Sequence, residues 1–242
     1  MPSEDDTFPD SEQCFRQAFD HPDAPAKLLK LIKEYPEYMV IIDLVVTYQT
    51  IVQENPDRAE ELTRTLVAVR NSPDAPIISG DTTLAEIFSC RLAFLHGVAL
   101  IIDDEKKILG TSNEFLSGSL LSGLSFKYNL CGCSDQSGAI LDGLDADPIS
   151  PISEVLVAGA CIQLLVAGSI IIRRSSSYFK SAKKIATRLK AQRHSGTVKD
   201  KNAQKLLELA ISHAESGFKK RNDIDNAWKI LFPLELPPSV HR

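Results

Sequence analysis

The sequence predicts an all-α protein, an irregular multi-helix bundle or a short α-solenoid-like array of about eight or nine helices. Three observations predict this class. Apolar residues recur at helical spacing along most of the 242 residues, as amphipathic helices require. Capping residues and prolines mark starts and stops at helix-length intervals. No stretch shows the alternation of apolar and polar residues that is typical of a half-buried strand.

Four helices are predicted in the first seventy residues. The first covers 10–19, and the second covers 26–34 with its leucines and isoleucine on one side. The densely apolar segment 38–52 is rich in β-branched residues, but it is too long for an average strand and predicts a buried helix. The dipeptide Asn55-Pro56 is a start signal, with a capping side chain followed by proline in the first turn, and it opens a helix ending near residue 70.

Capping signals also predict the later helices. Thr83 and Glu86 have the spacing of a capping box, which opens a helix to about residue 102. Further starts are expected near Thr111, at Ser150-Pro151, at Asp200 for a helix over 203–219, and at Asp223 for a short last helix.

The predicted domain organisation has four parts. Residues 1–10 form a flexible acidic N-terminus, and 11–130 form an acidic helical region. A loop rich in Gly, Ser and Asp covers 131–149, the longest irregular stretch. Residues 150–242 hold a central apolar helix followed by basic helices, and we expect them to form one domain with the preceding region.

Composition and cysteine usage limit the class of protein. With 43% hydrophobic and 24% charged residues, the chain is not a disordered or collagen-like sequence. Its five cysteines are an odd number, and its first ten residues are acidic without an apolar signal region. The sequence therefore predicts an intracellular protein with reduced cysteines, cytoplasmic or nuclear.

Charge is distributed very unevenly. Residues 1–172 carry 11 basic and 26 acidic residues, a net charge of −15, whereas 173–242 carry 16 basic and 6 acidic residues, a net charge of +10. The segment 173–193 has eight Lys or Arg and no acid. Two interpretations stay open: the basic segment docks on the acidic body of its own chain, or it presents a basic face to a polyanion, a lipid surface or an acidic partner.

The apolar run 155–172 is the most distinctive stretch. Gln163 is its one strongly polar side chain. At 1.5 Å per residue, it would be about 27 Å long, slightly shorter than the hydrocarbon core of a bilayer. The amide of Gln163 and the small residues of the run oppose insertion. We therefore expect a central core helix, and a transmembrane span is the alternative.

A basic amphipathic helix is predicted after this run. Tyr178, Ala182, Ile185, Ala186 and Leu189 share one helical stripe. An acidic protein partner is the expected ligand, a membrane surface is an alternative, and nucleic acid is disfavoured because few aromatic residues lie nearby. A solvated surface helix is the functionless alternative. The predicted partner-binding residues are Lys180, Lys183, Lys184, Arg188, Lys190 and Arg193.

No motif predicts catalysis, a metal site or a cofactor. Cys131 and Cys133 are two residues apart, whereas zinc sites use longer spacings and four ligands. The loop carboxylates lack the EF-hand order and are interpreted as turn formers. A weaker candidate for a divalent ion is His96 with the acids that follow on the same helix. The residues considered for these ion sites are Asp142, Asp145 and Asp147 in the loop, and Asp103 and Asp104 after His96.

These observations favour a non-enzymatic, all-helical interaction or regulatory protein whose basic C-terminal third contacts an acidic partner. The first alternative is a membrane-associated protein that uses the apolar helix 155–172 and the basic segment 173–193. The second is a helical enzyme whose catalytic residues are scattered in the sequence and form no recognisable motif.

Overall fold

The computed structural model describes residues 10–78, 82–84, 86, 112–130, 140–141, 143–150, 152–174 and 181–219. Within these ranges it contains eight α-helices, one 3-10 helix and one pair of two-residue strands. The predicted all-α class is therefore confirmed. The chain divides into two compact units, Met1–Leu92 and Ala93–Arg242. The segment 131–149 lies inside the second unit, and the domain limits proposed from the sequence stay a prediction.

Four α-helices form the described part of the first unit. Asp10 caps the first helix, and Asp23 caps the second, each by accepting a hydrogen bond from a backbone N–H in the first turn. The third helix confirms that the apolar segment beginning at residue 38 is helical and buried. The four helices are α1 (Ser11–Phe19), α2 (Ala24–Glu34), α3 (Tyr38–Glu54) and α4 (Ala59–Arg70).

The core of the first unit is formed where α1 packs on α2 and α3, and where α2 packs on α4. Its largest fully buried side chains include Phe15, Phe19 and Tyr48. The Tyr48 and Thr63 hydroxyls lie 2.7 Å apart, and Thr63 also donates to the Ala59 carbonyl. This pairing satisfies the polar end of a buried tyrosine, which would otherwise be costly to remove from water.

The start signal at Asn55-Pro56 acts differently from the prediction. A 3-10 turn, Pro56–Arg58, precedes α4, and the Asn55 side chain makes no capping hydrogen bond. Asn55 also closes α3, because its backbone N–H donates to the Ile51 carbonyl at 2.8 Å. Asn55 thus lies between two helices, and its hydrogen bond belongs to the end of α3 and not to the start of the helix that follows.

The capping box at Thr83 is confirmed. The Thr83 N–H donates to the Glu86 carboxylate at 2.8 Å, and the Glu86 N–H donates back to Thr83 Oγ1 at 3.2 Å. The Thr83 N–H is the main reason that the pKa of the Glu86 carboxyl lies below its usual value. The strands β1 (Ile77–Ile78) and β2 (Thr82–Thr83) pair antiparallel, and β2 ends at the capping residue Thr83.

Four α-helices form the described part of the second unit. They are α5 (Ser112–Lys127), α6 (Ser153–Arg174), α7 (Ala182–His194) and α8 (Lys201–Glu215). The helix α6 packs most extensively on α5, and α8 packs on both α6 and α7. Asp200 caps α8 as predicted, because its carboxylate accepts from the N–H groups of Asn202 and Ala203, both at 2.8 Å.

The predicted cap at Ser150-Pro151 is wrong. The helix α6 begins at Ser153, and the Ser150 hydroxyl has no hydrogen-bond partner among the described residues. A turn precedes the helix instead, in which the Asp147 carbonyl accepts from both the Ser150 N–H and the Ser153 hydroxyl. The turn delays the first helical residue beyond the position that the proline signal indicates.

The apolar helix α6 is the centre of the second unit. Small residues allow close approach, since a Cβ built on Gly159 would lie 2.6 Å from Ser119 Oγ and 2.7 Å from Phe115 Cε1 of α5. A Cβ built on Gly123 of α5 would likewise come close to the Val166 side chain of α6. Cys161 is fully buried, and this burial raises the pKa of its thiol.

Candidate interaction surface

The basic amphipathic helix predicted from the sequence is α7. Its N-terminus is closed by Ser181, whose hydroxyl accepts from the Lys184 N–H. Ile185, Ala186 and Leu189 of the predicted stripe are buried against the unit. Ala182 of the stripe is half-buried, and Tyr178 lies outside the described residues. The apolar stripe therefore fixes which side of α7 faces the core and leaves Lys183 and Lys184 on the remaining surface.

Three of the predicted partner-binding cations are exposed on α7: Lys183, Lys184 and Arg193. Among the described residues, none of the three has an ion pair within 4 Å. Lys180 lies outside the described residues. We call these three cations the α7 basic face: Lys183 and Lys184 lie in the first turn of α7, and Arg193 lies in its last turn.

The other two predicted cations make ion pairs within the second unit. Arg188 Nη1 lies 3.4 Å from Asp145 Oδ2, and Lys190 Nζ pairs with the Glu215 carboxylate at the end of α8. The hydrogen bond from Lys190, more than the nearby positive charges, holds the pKa of the Glu215 carboxyl below its usual value. The Arg188–Asp145 pair joins the basic segment to the acidic region 1–172, as the intramolecular interpretation requires, whereas Glu215 belongs to the basic region itself.

Gln192 fixes α7 to the segment that precedes α6. It is buried, with 6% of its surface exposed. Its Nε2 donates to the carbonyls of Leu144 and Ala146, both at 3.0 Å, and its Oε1 accepts from the Thr197 hydroxyl at 2.8 Å. Gln192 is not among the residues predicted to form this surface. The feature of the sequence that could have identified it is a polar amide placed three residues after Leu189, on the same side of the helix as the apolar stripe.

Glu154 fixes the loop between α7 and α8. One oxygen of its carboxylate accepts from the backbone N–H groups of Lys199 at 2.7 Å and Asp200 at 2.6 Å. Gly196 supports the same loop by turning the chain at a φ of 69°. The basic helix is therefore held by specific bonds at its C-terminal end, and the α7 basic face has a defined position within the unit.

The metal candidates from the sequence lie mainly outside the described residues, namely Cys131, Cys133, His96 and the acids Asp103, Asp104 and Asp142. In the described part of the chain, no group of three or more His, Cys, Asp or Glu could hold a metal ion. Asp145 pairs with Arg188, and Asp147 Oδ1 accepts from the Ile149 N–H, as a turn-forming carboxylate does.

The helix α6 satisfies the length and hydropathy of a membrane span over Ser153–Arg173, with a mean hydropathy of 2.5. In the structure, 78% of the residues in its most apolar window are buried inside the protein. Gln163 is among the buried residues. Such burial is typical of the central helix of a folded unit.

A comparison of the chain with protein-family models, curated proteins and solved structures found no match. The function is therefore inferred from the residues of this chain.

Proposed function

We propose that this chain is a non-enzymatic interaction or regulatory protein, and that the α7 basic face binds an acidic surface of a partner protein. The observation that carries the proposal is the exposure of Lys183, Lys184 and Arg193 on a helix whose apolar stripe is buried. Like charges fixed on one helix repel one another and attract a surface of opposite sign. Its affinity then falls as salt is added, because exposed charges are screened.

The test compares two triple variants with equal changes in charge. In the first, Lys183, Lys184 and Arg193 are changed to Glu. The matched control changes Lys27, Lys30 and Lys33 of α2, which are also exposed. Binding to fluorescent poly-L-glutamate is measured at about 50 mM and about 300 mM salt. We expect the α7 variant to bind at least about tenfold more weakly than the wild type, and the α2 control to bind as the wild type does.

Two outcomes would contradict the proposal. One is equal loss of binding in both variants, which would show that only net charge matters. The other is binding that does not change with salt.

A membrane-associated protein is the second candidate, favoured by the length and hydropathy of α6. It predicts that the wild-type protein co-sediments with phosphatidylserine vesicles and resists carbonate extraction from them. Binding to poly-L-glutamate without such retention would favour the protein partner.

A further inference from the structure

A groove lies between α7 and the C-terminal end of α8, with a volume of about 550 Å³. Its α7 wall is formed by side chains that share one face of the helix, because 183, 187 and 190 are spaced at i, i+4 and i+7. These wall residues are Ala182, Lys183, Ala186, Thr187 and Lys190.

The α8 wall is formed by Ala214, Glu215 and Gly217. Gly217 turns the chain at a φ of 69°, and its N–H donates to the Ala214 carbonyl at 3.0 Å, so the helix ends where the groove opens. The groove exists because alanine and glycine occupy the positions where the two helices would otherwise be joined by larger side chains. The alanines that line the groove therefore give it an apolar floor, and its lysines and glutamate give it a charged rim. The alanines are Ala182, Ala186 and Ala214, and the charged residues are Lys183, Lys190 and Glu215.

The two lysines on the rim differ in their ion pairing. Lys183 is exposed and has no ion pair within the described part of the chain, whereas Lys190 is paired with Glu215. The two lysines are seven residues apart, about 10 Å along the helix axis. Carboxylates two turns apart on another helix have the same separation, and an apolar side chain between them would point at the alanine floor.

We propose that this groove binds an acidic amphipathic helix of the partner, with carboxylates at i and i+7 on Lys183 and Lys190 and a leucine-sized side chain between them on the alanine floor. The proposal rests on the function proposed above and specifies its ligand. Glu215 occupies Lys190 in the free protein, and the incoming carboxylate replaces it. Glu215 therefore lowers the affinity and selects for partners acidic enough to displace it.

The probe is a synthetic peptide of about 18 residues, long enough to form a helix. Its sequence has a seven-residue repeat. Each repeat has Glu at its first position, so that glutamates recur at i and i+7, and Leu at its fourth and fifth positions. One control peptide replaces every Glu by Gln, and another replaces every Leu by Ser. Poly-L-glutamate serves as an acid without apolar side chains. We expect the first peptide to bind most tightly, because it alone satisfies both the rim and the floor of the groove.

Single variants locate the binding in the groove. We expect Lys183→Glu to weaken peptide binding at least about tenfold, and Lys205→Glu, an exposed lysine of α8 away from the groove, to weaken it less than about threefold. Thr187→Phe fills the groove without changing charge and should also weaken binding at least about tenfold. Its control, Ala191→Phe, places the same ring one turn further along α7 and should leave binding unchanged.

The Glu215→Gln variant tests the internal competitor. Removing the carboxylate releases Lys190 and removes a repulsive charge, so the peptide should bind roughly two- to fivefold more tightly. A structural role alone for the Lys190–Glu215 pair would predict unchanged or weaker binding. Circular dichroism of each variant confirms that the helical content is preserved.

The outcomes separate this proposal from the broader one. If neither acidic probe binds, the proposed function fails. A second outcome has three parts: poly-L-glutamate and the peptide bind equally, Thr187→Phe has no effect, and Lys184→Glu weakens binding as much as Lys183→Glu. That outcome would show that the α7 basic face binds acids and that the groove is not the site. Retention by phosphatidylserine vesicles that is unaffected by Thr187→Phe would also overturn the groove proposal and assign the cations to a lipid surface.

Discussion

At the residue scale, Gln192 shows how one buried amide determines the position of a candidate surface. Its three hydrogen bonds join α7 to residues 46 and 48 positions earlier in the chain, and to Thr197 in the loop that follows. A buried amide is tolerated because each of its polar atoms has a partner. The same arrangement makes its replacement costly, since the partners stay buried when the amide is removed.

We expect Gln192→Leu to lower the free energy of unfolding by about 2–4 kcal/mol, because it leaves two carbonyls and one hydroxyl without this partner. The matched control is Gln204→Leu. Gln204 is exposed and bonds a single carbonyl, that of Val198, so its replacement should change stability by less than about 1 kcal/mol. Urea denaturation followed by circular dichroism measures both, and equal effects would show that the Gln192 network adds nothing specific.

A second residue-scale feature is the bidentate pair between Arg16 and Glu54. Arg16 Nη1 and Nη2 donate to the two carboxylate oxygens at 2.7 and 2.9 Å, which joins α1 to the end of α3. The hydrogen bonds from Arg16 hold the pKa of the Glu54 carboxyl below its usual value. The same bonds raise the pKa of the Arg16 guanidinium.

This pair predicts a pH dependence of stability. Because the pKa of Glu54 is lower in the folded state than in the unfolded state, its contribution is fully present above the unfolded value of about 4.3 and is lost as the pH falls through the folded value. The pair is exposed, so we expect Glu54→Gln to cost only about 0.5 kcal/mol at pH 7. The difference between variant and wild type should vanish in acid. A difference that persists at about pH 2 would show that the carboxylate charge is not responsible.

At the element scale, α6 is defined by its small residues as much as by its hydrophobicity. The sequence correctly indicated a helix that is apolar on all sides, because ten of the residues 155–172 are Val, Leu or Ile. The partner helix α5 was identified from its capping signal, but its contact with Gly159 through Phe115 and Ser119 could not be predicted. Helical periodicity specifies the face of one helix and does not specify which helix covers it.

We expect Gly159→Val to lower the free energy of unfolding by about 2–3 kcal/mol, because the new Cβ and methyl groups would overlap the Phe115 ring and the Ser119 hydroxyl. The control is Ser169→Ala on the exposed side of α6, which should change stability by less than about 0.5 kcal/mol. Urea denaturation checks both variants. An unchanged midpoint for Gly159→Val would mean that α5 and α6 are not packed this closely.

At the scale of the whole molecule, residues 1–172 carry a net charge of −15 and residues 173–242 a net charge of +10, and among the described residues the Arg188–Asp145 ion pair joins the two regions. Asp145 and Glu215 neutralise Arg188 and Lys190, and both acids belong to the second unit. Lys183, Lys184 and Arg193 stay exposed on α7. Internal pairing therefore accounts for Arg188 and Lys190, and the proposed partner binding concerns Lys183, Lys184 and Arg193.

The sequence by itself determined the helical class, the capping by Asp200 and Thr83, and the buried stripe of α7, because these depend on residues three or four positions apart. It misplaced the start of α6 and the role of Asn55, where a turn or a neighbouring helix end competes with the local signal. Only the tertiary structure decided which cations are paired, where the groove lies and that Gln192 and Glu154 hold α7. Those features join residues 25 or more positions apart, or depend on how closely two helices approach, and local spacing carries no information about either.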